Sequence, residues 1–130
     1  MILVDTSVWI EFQRASGSAV HLRFRDLLIA DAPLAYSDPI EMEFLSGARN
    51  AAAADRLRGM LLYFEMLPFD APVDFAVATQ IYRRCRGDGI TPRGLIDCMI
   101  AAVALRNGAS ILTKNTDLEK IAGVMGIALA

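Results

Sequence analysis

Histidine is almost absent from this chain. It occurs once, at His21, and a surface position there would leave no histidine for a serine–histidine catalytic triad. His21 itself falls in an amphipathic helical pattern and reads as a surface residue. Cysteine is nearly as scarce: Cys85 and Cys98 form neither a Cys-x-x-Cys motif nor a zinc spacing. Both lie in helix-like segments and read as reduced thiols, with Cys98 a small core residue. No apolar run reaches the roughly 18–20 residues needed to span a bilayer. A basic leader is missing too, since Asp5 comes almost at once, and the expected location is the cytoplasm. Excess charge is also lacking. A net charge of −2 gives no bulk attraction to nucleic acid, so any such partner must be held by a local patch. No internal repeat, linker or low-complexity segment appears beyond the alanine run at 51–54.

What is present is apolar content. The chain has 130 residues, 55% of them hydrophobic, with a mean hydropathy of +0.38. That is the size and composition of one domain, residues 1–130, with a real core. Its pattern alternates strands with helices. Strands are predicted at Ile2–Asp5, Leu34–Ser37, Phe64–Phe69 and Ala109–Thr113, with a final edge strand at Ile127–Leu129. Helices are predicted over Val8–Arg14, Val20–Ala30, from Asp38 to about Gly47, and over Ala51–Phe64, Pro72–Arg86, Leu95–Arg106 and Asp117–Met125. Asp38, Pro39 and Glu41 read as a capping box with proline at the first helical position. Asn107-Gly108 stops the helix before it. Strands separated by helices imply an α/β fold with a parallel sheet covered on both faces.

Four acids stand out against this pattern. Asp5 closes an uncharged strand that should be buried, at the rim where open α/β sheets form their sites. Asp97 lies in a helix apolar on every side, so its carboxylate needs a cation or donors, or else an ion pair with Arg93 one turn earlier. Glu43 shares the inward stripe of Ile40, Phe44 and Gly47, although a place at the edge of that stripe would make it an ordinary surface glutamate. Asp117 follows a strand end, where Thr116 or Asp117 itself could simply cap the last helix. Two carboxylates about 4 Å apart repel by on the order of 4 kcal/mol at an effective dielectric near 20. Acids gathered at one rim therefore point to a divalent cation between them. Thr6, Ser7 and Asn115 could support a water or an acid beside that site, and are equally ordinary turn residues. Arg83, Arg84, Arg86 and Arg93 form the one basic concentration. They could hold phosphates, or merely complement a helix end.

With these residues in place, the chain resembles the PIN-domain ribonucleases of the VapC toxin type over nearly its whole length. The likeness rests on Val4-Asp5-Thr6-Ser7-Val8-Trp9-Ile10, on Glu43-Phe44-Leu45-Ser46-Gly47-Ala48 and on Leu95-Ile96-Asp97-Cys98-Met99-Ile100-Ala101-Ala102. A looser match is Thr113-Lys114-Asn115-Thr116-Asp117. Such proteins often carry phenylalanine after the last acid, where Leu118 stands here. The resemblance implies a three-layer α/β/α fold, and a catalytic acidic metal site of Asp5, Glu43, Asp97 and Asp117. It also implies RNA as substrate, a homodimer, and a VapB-like antitoxin encoded beside it. Oxygen ligands without histidine or cysteine favour Mg²⁺ or Mn²⁺, which would activate water for in-line attack leaving a 5′-phosphate. A second class shares the strand-and-acid pattern. In a receiver-type signalling domain, Asp70 with Thr113 and Lys114 would serve as switch residues, but Asp97 would have no task. A third keeps the fold as a binding module without catalysis.

Overall fold

Residues 2–4 carry no polar side chain, and Leu3 and Val4 are fully buried in the middle of the molecule. The structure, a computed structural model describing residues 1–130, places this strand, β1 (Ile2–Val4), between β2 (Leu34–Tyr36) and β4 (Ser110–Leu112). The strand β3 (Glu65–Met66) adds outside β2. All three pairings are parallel: Ile2 lies beside Leu34 on one side and Ser110 on the other. Parallel strands need helical crossovers, which cover the sheet and explain why all of β2 is buried. Each such fully buried aliphatic side chain contributes about 1.5–3 kcal/mol.

The chain runs outward from β1 to β2 to β3, then returns to the far side of β1 as β4. Carboxyl ends of neighbouring strands therefore part company between β1 and β4, the position where open parallel sheets leave a crevice. Seven helices complete a three-layer α/β/α architecture. They are α1 (Thr6–Gln13), α2 (Ala19–Ile29), α3 (Asp38–Ser46), α4 (Ala51–Leu61), α5 (Ala71–Gly87), α6 (Leu95–Asn107) and α7 (Thr116–Met125).

On α1, Trp9 anchors one side of the core. It is fully buried, meets Phe24 and Phe64 edge-on at 5.1 and 4.9 Å, and donates its indole N–H to the Val4 carbonyl at 2.9 Å. The fully buried Ala101, Ala102 and Ala104 give α6 a slim inner surface. Gly108 adopts φ +61° and ends α6 in a left-handed cap, so the chain can turn straight into β4. Asp74, fully buried at the start of α5, takes a two-pronged bond from Arg106 at the end of α6 (2.9 and 2.8 Å). Both cysteines are buried and free, Cys98 in the core position expected of it.

Several element ends depart from the sequence expectation. Ser37, not Asp38, is the N-cap of α3, and its buried hydroxyl meets no partner. Asp38 is drawn away because its Oδ2 accepts the Phe69 N–H, while Glu41 reaches Arg58 at 3.5 Å, so no capping box forms. Asn115 caps α7 in place of Thr116 or Asp117. The third strand shrinks to two residues and α4 stops at Leu61. The last segment contributes only a single bridge between Ile111 and Leu129.

Candidate active site

Asp5 does two jobs at the end of β1. Its backbone N–H still pairs with the Leu112 carbonyl at 2.9 Å, continuing the sheet, while its side chain caps α1 by accepting the Ser7 N–H at 3.3 Å. The capping oxygen, Oδ2, also takes the Ser7 hydroxyl at 2.7 Å and the Thr113 hydroxyl at 2.9 Å. Those two hydroxyls are fixed in turn, because Ser7 Oγ accepts the Lys114 N–H and Thr113 Oγ1 accepts the Asn115 N–H, both at 2.9 Å. The carboxylate is thus locked in one orientation with Oδ1 free of any protein donor.

That pattern recurs. Glu43 on α3 receives the Thr6 hydroxyl on Oε1 at 3.0 Å. Asp97, in the first turn of α6, receives the Asn115 amide on Oδ2 at 3.1 Å. Asp117, in the first turn of α7, receives the Arg93 N–H on Oδ2 at 3.4 Å, with the Arg93 guanidinium 3.5 Å from the same oxygen. In all four acids one oxygen is held by the protein and the other is left without a hydrogen bond.

The electrostatics show that these acids sense one another. Burial pushes the Asp97 carboxyl up to about 6; the charges of Asp5, Glu43 and Asp117 add to this, and the Asn115 bond opposes it. Glu43 is raised by burial and by Asp5, against the pull of Thr6. No basic side chain pairs with Asp5, Glu43 or Asp97. Arg93, the candidate partner for Asp97, pairs instead with Asp117, and its own side chain is 88% exposed. Beside the site, Lys114 is engaged by Glu11, whose carboxyl its hydrogen bond holds below the usual range.

As they stand, no three carboxylates close on one point as ligands of a single ion would. The donor set still fits a hard divalent cation of the magnesium type, which takes one or two carboxylates and keeps several waters. Free oxygens on uncompensated acids are what such an ion needs, and every donor is oxygen.

The structure therefore brings Asp5, Thr6, Ser7, Glu43, Asp97, Asn115 and Asp117 into one hydrogen-bonded and electrostatic group. Arg83, Arg84 and Arg86 stay apart: they are exposed on the last turns of α5 and make no ion pair or side-chain hydrogen bond with any acid. Sequence reasoning missed Thr113 as a support for Asp5. Its signal is the register, because Leu112 lies beside Val4 and the residues that follow are level. The receiver-type roles do not hold either. Asp70 is the N-cap before α5, where its N–H donates to Asp74, and Lys114 is turned to Glu11.

A family model described as the PIN domain matches residues 2–124. The chain belongs to the PIN-domain family. This PIN-domain chain is 40% identical over 131 residues to Ribonuclease VapC11 of Mycobacterium tuberculosis, covering 100% of this chain and 98% of the relative. It is 31% identical to Ribonuclease VapC32 of the same organism, covering 100% and 97%. Among solved structures, DNA-bound VapBC from Salmonella typhimurium superposes with a TM-score of 0.74 at 26% identity, over 99% and 96% of the two chains.

Proposed function

We propose that this PIN-domain chain is a divalent-cation-dependent endoribonuclease, acting as the toxin of a pair with a VapB-like antitoxin. The observation that carries this reading is the set of acids, each presenting one free oxygen, with no basic side chain on Asp5, Glu43 or Asp97. Relatives named as ribonucleases over the full length of the chain support RNA as substrate. The likeness to a VapBC complex supports the antitoxin. A homodimer and cytoplasmic action belong to the same proposal. No helix is long and apolar enough to cross a membrane.

Asp5 and Asp97 are the main ligands in this reading, with Glu43 and Asp117 beside them. Mg²⁺ or Mn²⁺ held there would polarise a phosphodiester and activate water for its hydrolysis. The chain's own part is orientation. Ser7 and Thr113 aim Asp5, Thr6 aims Glu43 and Asn115 aims Asp97, so little reorganisation is needed when charge arrives. Near neutral pH and without a cation, the raised carboxyl of Asp97 carries a proton for part of the time. A cation held there would compete with that proton.

Purified protein should cleave RNA with Mg²⁺ or Mn²⁺, stop with EDTA, and lose cleavage on Asp5→Asn. Undiminished cleavage in chelator would overturn the proposal. Intact binding to RNA or antitoxin without any cleavage would favour the binding module.

A further inference from the structure

The largest concave feature of the molecule is not lined by the acids. It is a cleft of about 500 Å³ where the ends of α1 and α3 meet the start of α4, and its wall carries Arg14, Arg49 and Arg56. None of these three guanidiniums makes an ion pair or a side-chain hydrogen bond, whereas Arg25, Arg58, Arg93 and Arg106 each engage a carboxylate. Three positive charges without an ion pair thus line one cleft in a chain whose net charge is −2. Arg14 feels the charge of Glu11, which itself pairs with Lys114, but none of the three is tied to a carboxylate, so the cleft presents a positive wall to an anion. Each arginine offers a planar fork matched to phosphate oxygens.

The position of the cleft says which anion. Two helices that border the acid group, α1 behind Asp5 and α3 with Glu43, lead to it. Thr6, which bonds Glu43, opens α1, and Gln13 at the cleft closes it, about 10 Å further along the helix axis. Glu43 and Gly47 are four residues apart on α3 and its cap, about 6 Å. A polyanion with its scissile phosphate at the acids would bring a neighbouring phosphate within reach of the arginines.

We propose that Arg14, Arg49 and Arg56 form a phosphate subsite that holds the RNA strand beside the bond to be cut. The proposal rests on the endoribonuclease reading and adds the surface that delivers the substrate. It makes this cleft, with its three arginines on one concave wall, and not the arginines of α5, the main electrostatic contact. Because the contact is the same in ground and transition states, it acts on KM more than on kcat.

The test measures binding of a fluorescein-labelled 20-nucleotide single-stranded RNA by anisotropy across a KCl series. It compares wild type, the Arg14→Ala/Arg49→Ala/Arg56→Ala triple variant, the matching triple lysine variant, and an Arg83→Ala/Arg84→Ala/Arg86→Ala control. Each lost phosphate contact lowers the slope of log affinity against log salt by about 0.7, so the alanine cleft variant should lose about 2 in slope. At low salt its affinity should fall at least tenfold. The lysine variant should recover most of the slope, which a misfolded protein would not do, and the α5 control should keep it. Cleavage by the cleft variant should show raised KM with kcat retained.

An unchanged slope in the cleft variant, while wild type binds and cleaves RNA, would overturn the subsite and leave the ribonuclease reading standing. Wild type that neither binds nor cleaves RNA would overturn both. A cleft variant that loses binding of a poly-glutamate peptide, yet keeps its RNA slope, would assign the cleft to an acidic protein segment and also overturn the subsite.

Discussion

Asn115 joins the last helix to the middle of the acid group: its Oδ1 accepts the Asp117 N–H at 2.9 Å while its Nδ2 donates to Asp97 Oδ2 at 3.1 Å. One side chain therefore sets both where α7 starts and where Asp97 points. Asn115→Ala should cost about 1 kcal/mol through the lost cap. It should also raise the Asp97 titration midpoint further above about 6, since the bond opposing that rise is gone. Carboxyl-carbon NMR titration of the metal-free protein checks the second effect. A midpoint that stays put would mean that the bond does not bear on Asp97.

Asp97→Asn separates a ligand from a structural acid. The Asp97 carboxyl titrates at about 6 when folded, from an ordinary value of 3.8, so folding takes up a proton. Below about pH 4 the carboxyl is neutral in both states and carries no penalty. As pH rises through 6 the folded protein without metal loses stability relative to a variant without this charge. The asparagine protein should therefore match wild type near pH 4 and equal or exceed it at pH 7, while losing the extra stability that Mn²⁺ confers. Thermal melts at both pH values, with and without Mn²⁺, read this out. A variant destabilised at pH 7 that still gains from Mn²⁺ would make Asp97 structural.

Thr113→Val keeps the shape of the side chain and removes a hydroxyl that orients Asp5. Second-layer partners of ligands are typically worth 10–100-fold in activity or metal affinity. A loss of that size is expected in RNA cleavage, with an unchanged circular dichroism spectrum. Full activity would show that Ser7 alone suffices to hold Asp5.

Asp74→Asn probes stability away from the acids. Burial alone would raise this carboxyl, but the bonds from Arg106 and the Asp70 N–H, with the Arg106 charge, outweigh it and hold it below the ordinary carboxylate range. Its contribution is present above about pH 4 and lost as pH falls through the lower folded value. The asparagine variant should be less stable by about 2 kcal/mol at pH 7. That deficit should shrink in acid, with RNA cleavage per folded molecule unchanged. Urea melts at pH 7 and pH 3 give the difference.

Local pattern made much of this protein legible. The uncharged strand ending in Asp5 and the Asn107-Gly108 stop are statements about adjacent residues, and the chain obeys them. Failures came where a side chain answers to something far away. Asp38 looks like a cap from its neighbours, yet its carboxylate is taken by the Phe69 N–H across the fold. Arg93 and Asp97 are spaced as a helical pair, but α6 begins only after its N-cap at Gly94. Arg93 therefore lies outside the helix and turns to Asp117. Neither the Asp74–Arg106 pair nor the support of Asp5 by Thr113 has any local signature. The arginine cleft was hidden for the same reason, since Arg14 and Arg49 come to line one cleft only after α1 and α3 are packed.

The strand order carries a consequence in time. The strand β4 is last in chain order among the four, yet it lies against β1, the first. A ribosome that has released Asp5 must still make more than a hundred residues before Thr113 can reach it. Asp97 likewise waits for Asn115. In the proposed reading, a nascent chain that has not yet reached Thr113 and Asn115 holds neither Asp5 nor Asp97 in its final orientation, so the site takes shape late in synthesis although its first acid is made almost at once.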